Sequence, residues 1–429
     1  MRITIVAVGT RGDVQPLLAL GIGLRKAGHE VRFATEESYR DRVVGAGHDY
    51  HRMSGESESF SAARAASLFR DTIEKPVTRY KRFWRMFVGP TADQHLRESL
   101  APCVGADVVL CQPWFGIGPS LREALGIPVI VTGVFPVPAL PTADFPFPLN
   151  SGARADLGKR ENLRSWRRAV PVLRVGDDVL QSWRRDVLGL PALTFQEHLR
   201  RTQAMPHLLG YSPTILPKAS EWGADVRVVG YWFLDSDDEY RPPDALSDFL
   251  AAGEPPVVIG FGSHVGRNPR KLTALVASAL AQSGQRGVIV SGWGGLEDPG
   301  GLSGVHFVKQ VPYGWLLPRA KALVHHGGAG TTSIALATGT PQITVPFGWD
   351  QAFWGYRCAA LGVGLGPFAA ARLTPESLAS AIATVCGDSG FAQRAERIAS
   401  SVRQERGVET AIAAIESIAS SRMTSGERA

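Results

Sequence analysis

Short runs of branched apolar residues alternate with helical patterns in the first half of the chain. The run ITIVAV (3–8) is followed by a glycine turn and by a stretch in which leucines recur at helical spacing until Gly28. Further apolar runs follow at EVRFAT (30–35), ADVVLC (106–111) and PVIVTGV (128–134), and a helical segment separates the last two. Runs of this kind predict strands, and the strand–helix–strand order predicts a parallel sheet with helices on both faces.

The same alternation restarts in the second half of the chain. Helices are predicted over 269–283 and from about Thr331, and strands at 255–263, 287–292, 304–309, 321–328 and 341–347. The stretch between the halves, from about Tyr211 to Pro243, is rich in proline, glycine and acidic residues, which is typical of a linker. We therefore expect two doubly wound, Rossmann-like α/β domains that face each other across a cleft, where ligands of such sheets bind.

The length of the chain also favours two domains, because 429 residues exceed one ordinary hydrophobic core. The predicted organisation is a first domain over residues 1–212, a linker over 213–243, a second domain over 244–404, and a closing helix and tail over 405–429.

Charge and apolar patterning narrow the classes of function. The net charge is +6, but the basic residues are scattered, so nucleic-acid binding is not predicted. The first residues lack a signal-peptide cleavage site, and no window reaches the ~20 apolar residues of a membrane span. Four cysteines without CxxC spacing fit a reducing compartment. We expect a soluble cytoplasmic protein, a monomer or homodimer, with peripheral membrane contact left open.

Each predicted domain has a glycine turn at a strand-to-helix junction, where helix N–H groups can bind an anion. The first turn, GTRGDVQP (9–16), puts Asp13 where the helix begins and Pro16 in its first turn. That carboxylate would repel a diphosphate, and the simplest structural interpretation makes Asp13 the N-cap. Phosphate binding is therefore the less favoured use of this turn.

The second turn, HHGGAGTT (325–332), carries no acid. Its glycines allow a ligand close to the backbone, Thr331 and Thr332 add hydroxyl donors, and His326 adds an imidazole. Adjacent histidines on a strand point to opposite faces, so a metal site is not favoured and one histidine should face the cleft. The turn predicts a cradle for a diphosphate, and a purely structural turn is the alternative.

The segment PFGWDQAFWG (346–355) follows the next predicted strand. Its Asp350 and Gln351 place a carboxylate and an amide side by side, which suits the adjacent hydroxyls of a sugar. The alternative is that Asp350 caps another helix.

These stretches resemble signatures of a known family. GTRGDVQPLLALGIGLRKAGHEVRFAT and the pair HHGGAGTT and PFGWDQAFWG are similar to those of inverting nucleotide-sugar-dependent glycosyltransferases, the UDP-glycosyltransferase superfamily. Within it, the resemblance is to sterol 3-beta-glucosyltransferase-like enzymes and bacterial antibiotic glycosyltransferases. It implies a GT-B fold, UDP-glucose or a TDP-sugar as co-substrate without a further cofactor, and transfer to a hydrophobic small-molecule alcohol.

The resemblance also implies roles for individual residues. Asp13 stands where the family keeps its catalytic base, and Gln112 stands where histidine-based members keep a partner aspartate. Asp350 and Gln351 match the pair that holds the donor sugar. The donor diphosphate is assigned to His326, Gly328, Gly330, Thr331 and Ser263. The nucleobase is assigned to Phe307, Val308 and Gln310; Phe307 replaces a tryptophan of plant members, which leaves uridine or thymidine open.

The base predicted in this way has a physical difficulty. A helix N-terminus favours the ionised carboxylate, which makes Asp13 available but weak as a base. We therefore expect Asp13 to act only if proton transfer accompanies formation of the glycosidic bond.

The acceptor side rests on aromatic clusters. FWRMF (83–87), QPWFG (112–116) and FPFP (145–148) would give the first domain an apolar wall, although such clusters are more often ordinary core. The inferred acceptor residues are Trp84, Trp114 and Phe115 from these clusters, and Phe135 directly after the strand 128–134. A flat apolar molecule with a hydroxyl, such as a sterol, triterpenoid, polyketide or lipid, fits them.

Competing functions remain at this point. A DxD pattern at Asp235–Asp237 could bind a metal, but its acidic setting beside RPP is typical of a solvated linker, so no metal is expected. A nicotinamide dehydrogenase is not favoured, because the sequence lacks the full glycine fingerprint of such enzymes. A sugar-nucleotide epimerase or hydrolase and a non-catalytic helper protein of the same fold stay as alternatives.

Overall fold

Seven parallel strands form the first sheet of the computed structural model. The structure describes residues 1–55, 76–113, 116–137, 139–149, 154–234, 240–262, 269–292 and 296–426. The sheet order is β3-β2-β1-β4-β5-β6-β7. The strands are β1 (Arg2–Val6), β2 (Glu30–Glu36), β3 (Asp49–Met53), β4 (Val108–Cys111), β5 (Val129–Gly133), β6 (His207–Leu209) and β7 (Val226–Val228). Most of their residues are buried, as expected of a parallel sheet covered on both faces.

Helices cover both faces of this sheet. Within the described ranges they are α1 (Arg11–Lys26), α2 (Arg40–Gly45), α3 (Pro76–Phe83), α4 (Gly89–Leu100), α5 (Gly118–Leu125), α6 (Lys159–Leu173), α7 (Asp177–Asp186) and α8 (Phe195–Gln203). A π-helical segment, Trp84–Val88, joins α3 to α4.

The second sheet has six parallel strands in the order β10-β9-β8-β11-β12-β13. They are β8 (Val257–Gly260), β9 (Gly287–Val290), β10 (Val305–Val308), β11 (Ala322–His325), β12 (Gln342–Thr344) and β13 (Gly364–Leu365). Its helices are α9 (Asp244–Ala251), α10 (Pro269–Ser283), α11 (Tyr313–Leu316), α12 (Ala329–Ala337), α13 (Gln351–Ala360), α14 (Pro375–Gly387) and α15 (Ser389–Gln404). The prediction of two doubly wound α/β domains is confirmed.

The chain order reverses once in each sheet, between β1 and β4 and between β8 and β11. Ligands of open α/β sheets bind at such switch points, outside the carboxyl ends of the strands. The turn 9–16 follows β1, and the turn 325–332 begins at the end of β11. Both predicted turns therefore lie at switch points.

The predicted linker, residues 213–243, is partly wrong. It contains β7, which pairs in parallel with β6 and extends the first sheet to Val228. The strand has three residues, too short for an apolar pattern to reveal it. The last helix, α16 (Gly407–Gly426), returns to the first domain, where Ala411 and Ile415 join the core formed by α1 and β1.

The two domains also share a core. Phe145, Phe147 and Trp166 of the first domain pack in one apolar cluster with Phe353 and Trp354 of the second. The FPFP segment thus belongs to buried core between the domains, in agreement with the ordinary-core interpretation and not with an acceptor wall.

Candidate active site

Asp13 is held at the start of α1 by Thr10. The backbone N–H and the hydroxyl of Thr10 each donate a hydrogen bond to Oδ2 of Asp13, both at 2.9 Å. Thr10 is the N-cap and Asp13 is the third helical residue, so the predicted N-cap role of Asp13 is wrong. Pro16, predicted in the first turn of the helix, lies in the second turn. The capping box fixes one carboxylate oxygen, and among the described residues no donor is bonded to Oδ1.

Gly9 provides the space for this carboxylate. Its φ of +128° is a conformation that glycine adopts readily, and a Cβ added there would lie 2.7 Å from Oδ2 of Asp13. The glycine therefore serves both the backbone turn and the position of the acid.

Gln112, directly after β4, connects the main chain of Asp13 to the sheet. Its Oε1 accepts the N–H of Val8 at 2.8 Å, and its Nε2 donates to the backbone carbonyl of Asp13 at 2.9 Å. The contact is with the main chain of Asp13 and leaves the carboxylate alone. Gln112 thus positions the main chain of Asp13.

Burial makes Asp13 a stronger base than its helix position suggests. Desolvation raises the pKa of Asp13 above its ordinary value, and the two hydrogen bonds from Thr10 oppose the shift without cancelling it. The expectation of a carboxylate weakened by the helix N-terminus is therefore reversed.

The second turn is built around the ring of His326. A Cβ on Gly328 would lie 2.4 Å from Nε2 of His326, and one on Gly262, at the end of β8, 3.2 Å from Cε1. The imidazole therefore lies between two glycines, and larger residues would displace it. Ser263 and its predicted phosphate contact lie outside the described residues.

His325 has a different role from His326. It is fully buried at the end of β11, and its Nδ1 accepts the N–H of Gly327 at 3.1 Å. Burial lowers the pKa of His325 to about 3, so the ring stays neutral. His325 is a structural support of the turn, in keeping with the expectation that one histidine of the pair serves the cleft.

The helix after this turn, α12, begins at Ala329 with Gly328 as its N-cap, two residues earlier than predicted. Its first N–H groups lack intrahelical partners, which suits an anion. Thr331 is partly exposed, whereas Thr332 is buried in the helix interior, so Thr332 is poorly placed as a phosphate donor. A Cβ at Gly330 would meet no protein atom within 4 Å. Close packing therefore does not require a glycine at position 330.

The loop that starts α13 contains Asp350 and Gln351. Asp350 occupies the N-cap position, but its side chain does not cap the helix; Oδ2 accepts the indole N–H of Trp354 at 2.8 Å. Oε1 of Gln351 accepts the backbone N–H groups of Phe347 and Gly348 at 2.8 and 3.1 Å. Gln351 therefore shapes the loop here, and its contact with a sugar stays a prediction.

Asp13 and Asp350 come from different domains and interact electrostatically. Burial raises the pKa of Asp350 to about 6; hydrogen bonding to Trp354 opposes this shift, and the charge of Asp13 adds to it. Two carboxylates from opposite domains thus share one partly buried cleft.

The predicted nucleobase residues occupy the edge strand β10 and the turn after it. Phe307 packs, partly buried, on one face of the sheet, and Val308 is buried on the other. Gln310 is exposed. The side chains of Phe307 and Val308 therefore cannot meet one base together, although the backbone of Val308 can contribute.

A recess opens beside Asp13 in the first domain. It is lined by Asp13, Leu17, Gln112, Pro113, Val134, Phe135 and Trp232, among others. Phe135 thus lies beside Asp13, and its contact with an acceptor stays a prediction. Trp84 instead packs on the backbone near Gly89 and Gly176, where an added Cβ would clash with its indole. Trp114 and Phe115 lie outside the described residues.

Two further predictions concern metals and membranes. The described ranges contain no group of three or more His, Cys, Asp or Glu side chains arranged to hold a metal ion. The DxD pattern at 235–237 lies outside those ranges. None of the described helices is both long and apolar enough to cross a membrane.

Comparison with known proteins places this site in a family. Residues 3–142 match the glycosyltransferase family 28 N-terminal domain, and residues 299–413 match the erythromycin biosynthesis protein CIII-like C-terminal domain. O-mycaminosyltylonolide 6-deoxyallosyltransferase of Streptomyces fradiae is 33% identical, with 99% of each chain covered. A sterol 3-beta-glucosyltransferase of Arabidopsis thaliana is 34% identical over 96% of this chain and 65% of that protein.

The fold is shared with a solved structure. The glycosyltransferase VinC in complex with dTDP superposes with a TM-score of 0.69 at 20% identity, covering 98% of this chain and 100% of that one. The chain spans less than two thirds of the sterol 3-beta-glucosyltransferases that it matches.

The two facing parallel sheets define a GT-B fold. Together with the two domain matches and the full-length similarity to the Streptomyces enzyme, they show that the chain belongs to the UDP-glycosyltransferase family.

Proposed function

We propose that this protein is an inverting, metal-independent glycosyltransferase. It transfers a hexose from a UDP- or TDP-sugar to a hydroxyl of a hydrophobic small molecule, such as a sterol, triterpenoid, polyketide aglycone or lipid. The observation that carries this proposal is Asp13: one carboxylate oxygen is fixed by Thr10, the other has no donor among the described residues, and its pKa is raised.

In the proposed reaction, Oδ1 of Asp13 takes the proton of the acceptor hydroxyl as its oxygen attacks the anomeric carbon. Positioned general bases contribute typically ~100- to 10,000-fold in rate. The bond to the diphosphate breaks on the opposite face of the sugar, so the configuration inverts. Gln112 and Gly9 keep the carboxylate in place.

The departing diphosphate would be stabilised by the start of α12 and by His326. The first N–H groups of α12 lack intrahelical partners, and a helix N-terminus favours negative charge. Asp350 would accept a hydrogen bond from a sugar hydroxyl. The nucleotide in the VinC structure and the names of the two relatives support a nucleotide sugar and an apolar alcohol as substrates.

The test is a transfer assay with UDP-glucose or TDP-glucose and a flat apolar alcohol, in buffer with excess EDTA. We expect a glycoside whose anomeric configuration, read by NMR coupling, is opposite to that of the donor. Donor class follows from thermal shift, since a ligand at 100 times its Kd stabilises by ~2.7 kcal/mol. Sugar-nucleotide hydrolysis or epimerisation that proceeds equally without acceptor would refute the proposal, and loss of transfer in EDTA would refute metal independence.

A further inference from the structure

Trp349 has an unusual backbone for so large a residue. Its φ is +56°, and within the described ranges it shares a positive φ with only one other non-glycine residue, Arg406. Bulky side chains are disfavoured in this region, where glycine fits without strain. Something other than local preference therefore keeps a tryptophan here.

The indole of Trp349 bridges the two domains. It makes edge contacts with Phe83 and Tyr80 of α3, with ring centroids 4.6 and 6.2 Å apart. Phe83 and Tyr80 also contact each other at 6.3 Å. The three rings form one aromatic wall, defined here as Tyr80, Phe83 and Trp349, that crosses the seam between the first and second domains.

This aromatic wall adjoins the proposed reaction centre. Trp349 directly precedes Asp350, whose pKa responds to the charge of Asp13 across the cleft. An acceptor hydroxyl that reaches Asp13 while the donor sugar contacts Asp350 would lie next to the loop that carries Trp349. The wall is aromatic and partly exposed.

We propose that Trp349 determines acceptor specificity: the aromatic wall that it completes is the surface against which a flat, apolar acceptor lies during transfer. This inference rests on the proposed function. Flat rings bury large area against aromatic side chains at a low cost in conformational entropy. The gain from this contact explains why a strained tryptophan is kept where glycine would be easier.

The central experiment compares Trp349→Gly with the native enzyme on two alcohols, one fused-ring and one linear, with the same donor. Glycine accepts the backbone conformation, so the variant removes the ring while relieving strain. We expect KM for the fused-ring alcohol to rise about tenfold. KM for the linear alcohol and Kd for the nucleoside diphosphate should change by less than about twofold.

Three further variants separate specificity from simple structure. Phe83→Ala should reproduce the selective rise in KM, and Trp349→Phe, which keeps a ring, should restore part of the preference. Arg406→Gly relieves a comparable backbone conformation on an exposed turn and should leave both KM values unchanged. Thermal denaturation of each variant checks that its fold is retained.

The outcomes are distinct. If the native enzyme transfers sugar but Trp349→Gly and Phe83→Ala keep its preference for the fused-ring alcohol, the inference is overturned and the proposed function stands. Equal losses for both alcohols and for the nucleotide would show a purely structural role for Trp349 and also overturn it. If the native protein glycosylates no alcohol, the proposed function itself fails.

Discussion

Asp350, on the second domain, has a pKa that is raised by burial and further by the charge of Asp13, on the first. Each carboxylate is held by a neighbour from its own domain, Asp13 by Thr10 and Asp350 by Trp354. Burial raises both pKa values, so the cleft contains two carboxyl groups whose ionised forms are disfavoured. This relationship gives activity, donor binding and stability a shared dependence on pH.

Replacing Asp13, the proposed base, tests the chemistry directly. Asp13→Asn keeps the shape of the side chain and its bond to Thr10, but it cannot take a proton. We expect kcat to fall by ~100- to 10,000-fold with donor affinity nearly unchanged. Asp93→Asn, which neutralises a surface carboxylate paired with Arg97, is the matched control and should keep full activity. Turnover of Asp13→Asn near the native rate would remove Asp13 from the role of base.

Gly9 should control the position of the base. Gly9→Ala places a Cβ 2.7 Å from Oδ2 of Asp13 and also strains the backbone at φ +128°. We expect kcat to fall about 10- to 100-fold through misplacement of the carboxylate. Gly28→Ala, at φ +87° with no atom within 4 Å, carries strain without a clash and should lower Tm alone. Similar kinetics for the two variants would contradict this account.

Donor binding should weaken in mild acid. The pKa of Asp350 is about 6, so lowering the pH from 7 to 5 protonates the carboxylate and weakens it as the proposed acceptor for the sugar hydroxyl. Affinity for the sugar nucleotide, measured by calorimetry, should fall over this range, and Asp350→Asn should largely flatten the profile. Asp13→Asn should move the midpoint slightly to lower pH, because the charge of Asp13, which adds to the effect of burial on the pKa of Asp350, is gone. An unmoved midpoint would show that the two carboxylates do not interact.

The same shift predicts an effect on stability. The folded-state pKa of Asp350 is raised, so the folded protein holds a proton that the unfolded chain has already released between about pH 4 and pH 6. The contribution of Asp350 to stability therefore falls as pH rises through this window, and the penalty is fully present above about pH 6. Asp350→Asn should raise Tm more at pH 7.5 than at pH 4. An equal effect at both pH values would argue against a raised pKa.

Gly330 should separate the stability of the protein from ligand binding. An added Cβ meets no protein atom within 4 Å, and alanine is the better helix former, so Gly330→Ala should stabilise the unliganded protein by ~0.5–1 kcal/mol. The same methyl group would obstruct a diphosphate at the start of α12, and we expect nucleotide affinity to fall about tenfold.

The control for this prediction is Gly387→Ala at the end of α14, where an added Cβ is equally unobstructed. It should leave nucleotide affinity unchanged. If Gly330→Ala bound the nucleotide as tightly as the native protein does, the diphosphate would have to lie elsewhere.

Several parts of the site could have been recognised from the sequence and were missed. Thr10 and Asp13 have the spacing of a capping box, which identifies Thr10 as the N-cap. Gly9 directly follows the first apolar run, where a tight turn favours glycine. By contrast, no local signal marks the bond from Gln112 to Asp13, because it joins residues 99 positions apart in the chain.

The sequence by itself determined the two doubly wound domains and the two glycine turns. Parallel strands buried on both faces leave unbroken apolar runs, and turns at strand-to-helix junctions leave glycines, so both are local signals. Only the tertiary structure decided what depends on distant partners: the pairing of β7, the raised pKa values of Asp13 and Asp350, and the aromatic wall around Trp349. Burial and charge act through space, and the chain brings these groups together only when both domains are folded.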